Sequence, residues 1–411
     1  MKTKLFLGAA AAAVALGGVT MTSTSLSGDD AARPFLHPLA IARSLCGANP
    51  DGLAKRRAFF ISAAKAYAQA SGETENMDNM LRSGLGDIAY DVTTSKPEAQ
   101  AWFNQGLAFT FGFNHVAAIK AFKKAQEIDP DCAMCYWGEA FAHGPNINAP
   151  MFEEAVTPAW EAINKAISLR DGASEKERAL INALGYRYAF ADAMDQVATD
   201  YPDDDFIASL AAEANMDTQS WDYWGDGGRT PKGRTARTVS LLEGVLARNP
   251  DYPAAIHLYI HITEASRDPY RAARHADRLA AVTPGLGHLV HMPSHTYYRI
   301  GRFKESLDHN IDAVAADETY LDSADASILY EYGYFTHNIH FAMTSAQMAG
   351  DAETALAMAE KLNEKLPIDM AAAAPWVQPI KAAPYYAMVQ FADPADILAA
   401  ENPGDELPFL K

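Results

Sequence analysis

Cysteine, basic charge and long apolar runs are all scarce in this chain of 411 residues. With 3 cysteines, the chain can form at most one internal disulfide and leaves one thiol over. Asp and Glu number 52 against 34 Lys and Arg, which gives a net charge of −18. A protein that binds phosphates of nucleic acid needs clustered Lys and Arg, so we expect no nucleic-acid partner. The 49% of hydrophobic residues can nevertheless bury a substantial core.

The longest apolar run lies at the N terminus. Lys2 and Lys4 precede apolar residues 5–19, and small polar residues follow them. This order is typical of a secretory signal peptide, and the run is shorter than the roughly 20 residues that a membrane-spanning helix needs. We therefore predict a signal peptide over residues 1–30, a periplasmic or secreted protein, and no membrane span in the mature chain. Residues 31–97 are predicted to form an N-terminal helical capping segment.

Two of the cysteines form a CxxC motif. No histidine follows Cys135, so the motif lacks the signature of a c-type haem attachment site. Cys132 and Cys135 are either a bridged or redox-active pair, or two small, partly buried helix residues. We favour the second interpretation, because the motif is short and weakly specific.

A period of 34 residues organises the rest of the chain. Residues 99–130 match a tetratricopeptide repeat at positions 4, 8, 11, 20, 24, 27 and 32, which hold Trp102, Gly106, Phe109, Ala118, Phe122, Ala125 and Pro130, while Gln105 departs from it. Small residues let two helix backbones approach, and large ones fill the space between stacked hairpins. Since no run alternates as a strand does, we predict an all-α fold without paired strands: a tetratricopeptide-repeat-like α-solenoid of stacked helical hairpins.

Later segments repeat the period. Pro250 and Pro284 are 34 residues apart, and the turns GRFKES (301–306) and GDAETA (350–355) follow the same pattern, with Pro367 closing the last repeat. We place a first array over residues 98–216, a second over 236–375 and a C-terminal segment over 376–411. Residues 217–235, rich in Gly and carrying Trp221, Tyr223 and Trp224, form a loop between the arrays. This loop is either a disordered connector or a flap that docks on the array.

Histidines concentrate at equivalent positions of the second array. In such arrays the first helix of each repeat lines the concave groove, with positions 2, 5, 9 and 12 facing it. Three such helices begin near residues 253, 287 and 336, and seven of their twelve groove positions are histidine: His257, His261, His288, His291, His295, His337 and His340. Position 12 holds Glu264, Tyr298 and Gln347. Composition alone would put roughly 0.4 histidines there.

This concentration predicts a metal site. Crowded imidazoles repel one another when protonated and lack partners when neutral, and a bound metal ion removes both costs. His257 and His261 share one helix face, but Leu258 stands where a zinc protease of the HExxH type has its general base. We therefore predict one or two ions of Zn, Cu or Fe, bound by the seven histidines and Glu264. Tyr298, Gln347, Trp221 and Trp224 are predicted to line the ligand groove, and Pro293 to break its helix.

Two classes of function remain open. The first is a metal-binding protein, with or without enzymatic activity, that takes a small molecule in its groove. The second is a metal-free scaffold in which the same side chains hydrogen-bond an extended peptide or protein. Nitrogens that converge on a common centre favour the metal, whereas a ladder of side chains along the groove favours the peptide.

Four segments resemble a family of bacterial tetratricopeptide-repeat proteins. They are FNHVAAIKAFKKAQEIDPDCAMCYWGEAFAHGPNIN (113–148), AAIHLYIHITEAS (254–266), GHLVHMPSHTYYRIGRF (287–303) and HNIHF (337–341). The resemblance covers roughly residues 85–365 and implies the solenoid fold. It brings no activity with it, so the function is argued from the residues.

Overall fold

The computed structural model describes residues 80–186, 190–324, 326–373, 377–400 and 407. The predicted signal peptide and residues 31–79 of the predicted capping segment lie outside this range. Helices dominate the part that is described, and none of these helices is long and apolar enough to cross a membrane.

The first half of the described chain is a series of helical hairpins. Its helices are α1 (Pro97–Phe111), α2 (His115–Ile128), α3 (Ala133–Ala142), α4 (Glu153–Leu169), α5 (Glu175–Gly185), α6 (Phe190–Asp200) and α7 (Asp205–Asp217), with a 3-10 turn at Arg170–Gly172. Side chains cap several of them: Asn114 accepts a hydrogen bond from the backbone N–H of Ala117, and Ser174 forms a capping box with Glu177.

The packing of the first hairpin explains two of its glycines. The ring of Phe122 on α2 lies against Gly106 of α1 and Gly138 of α3, where a Cβ atom would collide with it. The large side chain of one helix thus needs a bare backbone on both neighbours. This is the arrangement that the repeat spacing predicts.

The second half continues the series. Its helices are α8 (Thr235–Arg248), α9 (Pro253–Glu264), α10 (Ala273–Val282), α11 (Gly287–His291), α12 (Pro293–Arg299), α13 (Phe303–Leu321), α14 (Thr336–Ala349), α15 (Ala352–Lys365), α16 (Ile368–Ala373), α17 (Gln378–Phe391) and α18 (Pro394–Ala399), with a 3-10 turn at Pro269–Ala272 and a π-helix at Tyr330–Phe335. Helices that follow one another along the chain pack side by side. The all-α, tetratricopeptide-repeat-like solenoid is therefore confirmed.

Residues 217–235 differ from the expectation of no paired strands. They contain a two-residue antiparallel pair, β1 (Trp224–Gly225) and β2 (Thr230–Pro231), closed by a turn in which Gly227 and Gly228 have positive φ. The hairpin docks on the array: the backbone N–H of Arg267 donates to the carbonyl of Gly228 over 2.9 Å. The structure thus matches the docked flap and not the disordered connector.

The array curls until its first turns contact its later helices. The backbone N–H of Gly285 donates to the carbonyl of Gly84 over 2.7 Å, and Arg82 donates to the hydroxyl of Ser323 over 3.0 Å. The end of α1 also meets α9, which carries the first histidines: the carbonyl oxygen of Phe111 lies 2.8 Å from Nδ1 of His257.

The favoured interpretation of the CxxC motif is wrong. Cys132 and Cys135 form a disulfide across the first turn of α3, and both are fully buried. One helical turn brings their Cα atoms to 5.4 Å, within the usual range for a bridge. The disulfide therefore closes the first turn of α3, where both of its sulfur atoms are buried in the core.

Candidate metal centre

Six of the seven predicted histidines gather into two triads. The first triad comprises His257 and His261 of α9 with His288 of α11, and the second comprises His291 of α11, His295 of α12 and His337 of α14. Within each triad, one ring nitrogen from each member lies within 4.8 Å of the others. No carboxylate or thiolate joins either group in the part of the chain that is described.

Breaks between helices set the directions in which these histidine side chains point. Pro293 separates α11 from α12, which confirms the predicted interruption. His291 and His295 stay together across it, with ring centroids 4.8 Å apart, while His288 turns to the other triad. The two short helices α11 and α12 therefore contribute histidines to both triads.

Contacts to oxygen atoms fix the proton on two rings, one in each triad. Nδ1 of His257 lies 2.8 Å from the carbonyl oxygen of Phe111, which can only accept, so this nitrogen carries the proton. Nδ1 of His291 lies 2.6 Å from Oδ1 of Asn310, whose amide nitrogen donates to Ser294 and Ser306. In both rings Nε2 is left with a lone pair, as a metal ligand requires.

Glu264 fixes two further rings. Its carboxylate oxygens lie 3.2 Å from Nδ1 of His261 and 2.7 Å from Nδ1 of His295. Burial raises the pKa of Glu264, but its interactions with His295 and His261 outweigh burial and hold the pKa below its usual range. An ionised Glu264 accepts from both Nδ1 atoms and so links one imidazole of each triad. It occupies the position of a supporting partner and not of a ligand.

The second triad presents two lone pairs to each other. Nε2 of His291 and Nε2 of His295 are 2.9 Å apart, and both rings carry their proton on Nδ1. Two nitrogen ligands about 2.0–2.1 Å from a tetrahedral ion are about 3.3 Å apart, so this spacing is close to that of a coordinated pair. Without an ion or a proton between them, the two lone pairs repel.

The first triad has a similar contact. Nε2 of His288 lies 3.1 Å from Nε2 of His257. This contact also suits a hydrogen bond donated by His288, so it is less decisive. Nε2 of His261 is buried without a hydrogen-bond partner.

The protein environment disfavours protonation of these rings. Burial, followed by the neighbouring histidines, lowers the pKa of His257, His288 and His291 well below its usual value and that of His337 to about 3. Burial also lowers the pKa of His261. These five rings are therefore neutral at pH 7, and their lone pairs are available.

The triads open onto a cavity of about 520 Å³. Four histidines face it, one pair from each triad: His261, His288, His295 and His337. The rest of its lining is mostly apolar or aromatic and includes Trp221, three residues before β1, and Tyr334 of the π-helix. No charged side chain lines it among the residues described. Its volume is that of a small-molecule site.

Phenylalanine rings support the imidazoles from outside. Phe113 lies with its ring centroid 4.6 Å from that of His257, and Phe341 lies 5.0 Å from His291 and 4.9 Å from His295. Sequence analysis missed Phe111, Phe113 and Asn310, and nothing in the repeat spacing points to them. Phe341 could have been predicted from the sequence, because it follows His337 by four residues and so lies on the same helix face.

His340 belongs to neither triad. It was predicted at the same groove position as His257 and His291, but α14 presents His337 and Phe341 to the second triad. His340 lies about 100° around the helix from Phe341. The connection that contains the π-helix interrupts the 34-residue period before α14, and this changes the face that the helix presents.

Three residues predicted to line the ligand groove lie elsewhere. The ring of Tyr298 packs against Phe303 and Phe341, and Gln347 donates to Gln390 of α17 over 3.0 Å. Trp224 donates its indole N–H to the carbonyl of Ile262 over 2.6 Å and fastens the hairpin to α9. Only Trp221 reaches the cavity, with its ring 5.3 Å from that of His261.

Fold and site define a class: an all-helical, tetratricopeptide-repeat-like solenoid with a histidine-lined cavity. No protein-family model matches the sequence, and no curated protein matches it. Among solved structures it is similar to the human IFIT1 dimer with PPP-AAAA, with a TM-score of 0.35 and 15% identity, over 74% of this chain and 73% of that chain. A likeness this low says nothing about the histidines.

Proposed function

We propose that the protein is an exported metalloprotein that binds two transition-metal ions, one in each histidine triad, and presents them to a small molecule in the cavity. The observation that carries this proposal is the facing pair of lone pairs on His291 and His295, 2.9 Å apart. A proton on Nε2 of His291 would make that ring an imidazolium, which its buried surroundings disfavour. A bound ion turns the same contact into a favourable one.

The two ions would lie close together. Ring separations between the triads fall within the range of 4.8 to 6.2 Å found inside them: the His261 and His295 centroids are 5.6 Å apart, and those of His288 and His291 are 6.0 Å apart. Paired ions in two-metal sites are about 3.5–4 Å apart. The shared carboxylate of Glu264 ties the two sites into one centre.

The same side chains fit a metal-free, peptide-binding scaffold less well than they fit a metal site. An extended peptide needs hydrogen-bonding groups spread along a groove. Here the ring nitrogens converge on two points, and Tyr298 and Gln347 bond or pack elsewhere in the fold. The convergence supports the metal centre.

Elemental analysis of protein purified from the periplasm without added metal tests this proposal. We expect two ions per wild-type chain, and at most one per chain in His261→Ala and His291→Ala, which each damage one triad. His340→Ala is the matched control and should keep both ions, because His340 lies outside the triads. Circular dichroism should show the same helix content in all of them. Wild-type protein without metal, or His261→Ala and His291→Ala with the wild-type metal content, would refute the proposal.

A further inference from the structure

We infer that the two ions are copper and that the reduced pair binds one molecule of dioxygen between them. This inference rests on the proposed function, because it identifies the ion and the ligand of the same centre. Its three supports are the donor set of the triads, the charge that the site can hold, and the lining of the cavity.

The donor set is six imidazoles without an oxygen or sulfur ligand. Calcium and magnesium prefer oxygen ligands, and non-haem iron sites that activate dioxygen commonly combine two histidines with one carboxylate. Here the nearest carboxylate, on Glu264, faces the Nδ1 side of the rings and is turned away from the coordinating nitrogens. Zinc and copper remain, because neutral imidazole suits both.

The charge of the site favours the lower oxidation state of copper. Two dications would bring a charge of +4 into a buried place where, among the described residues, Glu264 is the one carboxylate bonded to the imidazoles. Two cuprous ions bring +2, and burying charge is costly unless it is compensated. Three neutral nitrogens complete the coordination of a cuprous ion, whereas a zinc ion held by three protein ligands takes its fourth ligand from water or substrate.

The cavity suits a small neutral molecule such as dioxygen. It lies against both triads, and Trp221, Leu329, Tyr334 and Ile380 give it a largely apolar wall. No Lys or Arg within the described lining could hold an anionic substrate there. A gas molecule in this space would lie against histidines of both triads.

The binding step is balanced by the two ions alone. Each cuprous ion gives one electron, both electrons go to dioxygen, and the products are two cupric ions bridged by peroxide. The O–O double bond becomes a single bond, and no proton moves. Return of the two electrons to the ions releases dioxygen again.

Anaerobic loading followed by exposure to oxygen tests the inference. The full chain, stripped of metal, is titrated with Cu(I) under nitrogen, and oxygen uptake is then measured with an electrode. We expect two copper ions and one dioxygen per chain, and a product without an electron paramagnetic resonance signal, because two peroxide-bridged cupric ions couple their spins. His337→Ala should bind one copper and take up no bridging dioxygen, while His340→Ala should match wild type.

The outcomes separate this inference from the proposed function. Two bound zinc ions with no uptake of copper, or two copper ions without oxygen uptake, would overturn the inference and leave the metal centre standing. Cupric signals that account for all of the copper would also overturn it, because they show isolated ions. A chain that binds neither metal would overturn both.

Discussion

At the scale of single residues, the proton positions decide what the histidines can do. Four rings have Nδ1 bonded to an oxygen: His257 to Phe111, His291 to Asn310, and His261 and His295 to Glu264. Each contact turns Nε2 inward with its lone pair. The repeat spacing predicted which histidines gather, but the oxygen atoms that orient them come from other parts of the fold.

Replacing Glu264 by Gln should weaken metal binding without unfolding the chain. The amide oxygen can accept from one Nδ1–H, but the amide nitrogen then faces the other Nδ1–H and cannot accept its proton. Loss of such a supporting partner typically costs about 10–100-fold in metal affinity. Competition with a chelator of known affinity measures this. Glu243→Gln is the control, because Glu243 bonds to Tyr259 and Arg271 and not to a triad; equal affinities of Glu264→Gln and wild type would contradict the role given to Glu264.

At the scale of elements, the sequence predicts where the helices lie along the chain better than it predicts which face each helix turns toward the site. The proline at 293 indicates the break between α11 and α12, and the structure has it there. His337 and His340 were both predicted to bind metal, but α14 presents His337 to a triad and not His340. A period of 34 residues fixes the rotation only while the repeats are regular, and the π-helix before α14 interrupts them.

Substituting Gly228 by Ala should loosen the hairpin that directly follows Trp221. Gly228 has φ of +88°, and a Cβ atom there would lie 2.8 Å from the carbonyl oxygen of Ala265 and 2.8 Å from the backbone nitrogen of Arg267. The hairpin must then move away from the end of α9, so a chelator should extract the metal faster. Gly227→Ala is the matched control, because Gly227 also has positive φ but meets nothing closer than 3.8 Å. Equal extraction rates for the two variants would show that the hairpin does not cover the site.

At the scale of the whole molecule, closure of the array builds the site. The turn after α1 supplies the carbonyl of Phe111 and the ring of Phe113 to His257 of α9. These residues are far apart in sequence, and a backbone carbonyl leaves no trace in residue type. Local periodicity predicts the stacking of neighbours, but not which distant turns meet when the array curls.

The metal-free protein should lose stability steeply below about pH 6.5, the usual pKa of histidine. Burial lowers the pKa of His337 to about 3 and of His115 and His340 to about 4. Between these values and 6.5 the unfolded chain binds protons that the folded chain does not, so the free energy of unfolding falls as pH falls, by about 1.4 kcal/mol per pH unit for each such ring. Above pH 6.5 these rings do not make the free energy of unfolding depend on pH.

Two buried carboxyl groups oppose this trend. Burial raises the pKa of Asp317 to about 7, and burial together with the nearby Asp217 raises the pKa of Glu213 well above its usual value, so protonation of either group favours the folded state as pH falls. Two groups cannot offset the larger number of buried histidines. Denaturant titrations at about pH 7.5 and about pH 5 measure the balance; equal free energies of unfolding at the two pH values would contradict the neutral, buried state of the rings.

The central claim is that two ions sit a few ångströms apart, each bound by one triad. The most direct test is a crystal structure of the metal-loaded protein with anomalous diffraction recorded at the absorption edge of the ion found by elemental analysis. We expect two anomalous peaks, one within about 2.0–2.2 Å of ring nitrogens of His257, His261 and His288, and one at the same distance from those of His291, His295 and His337. A single peak, or peaks away from these nitrogens, would contradict the account.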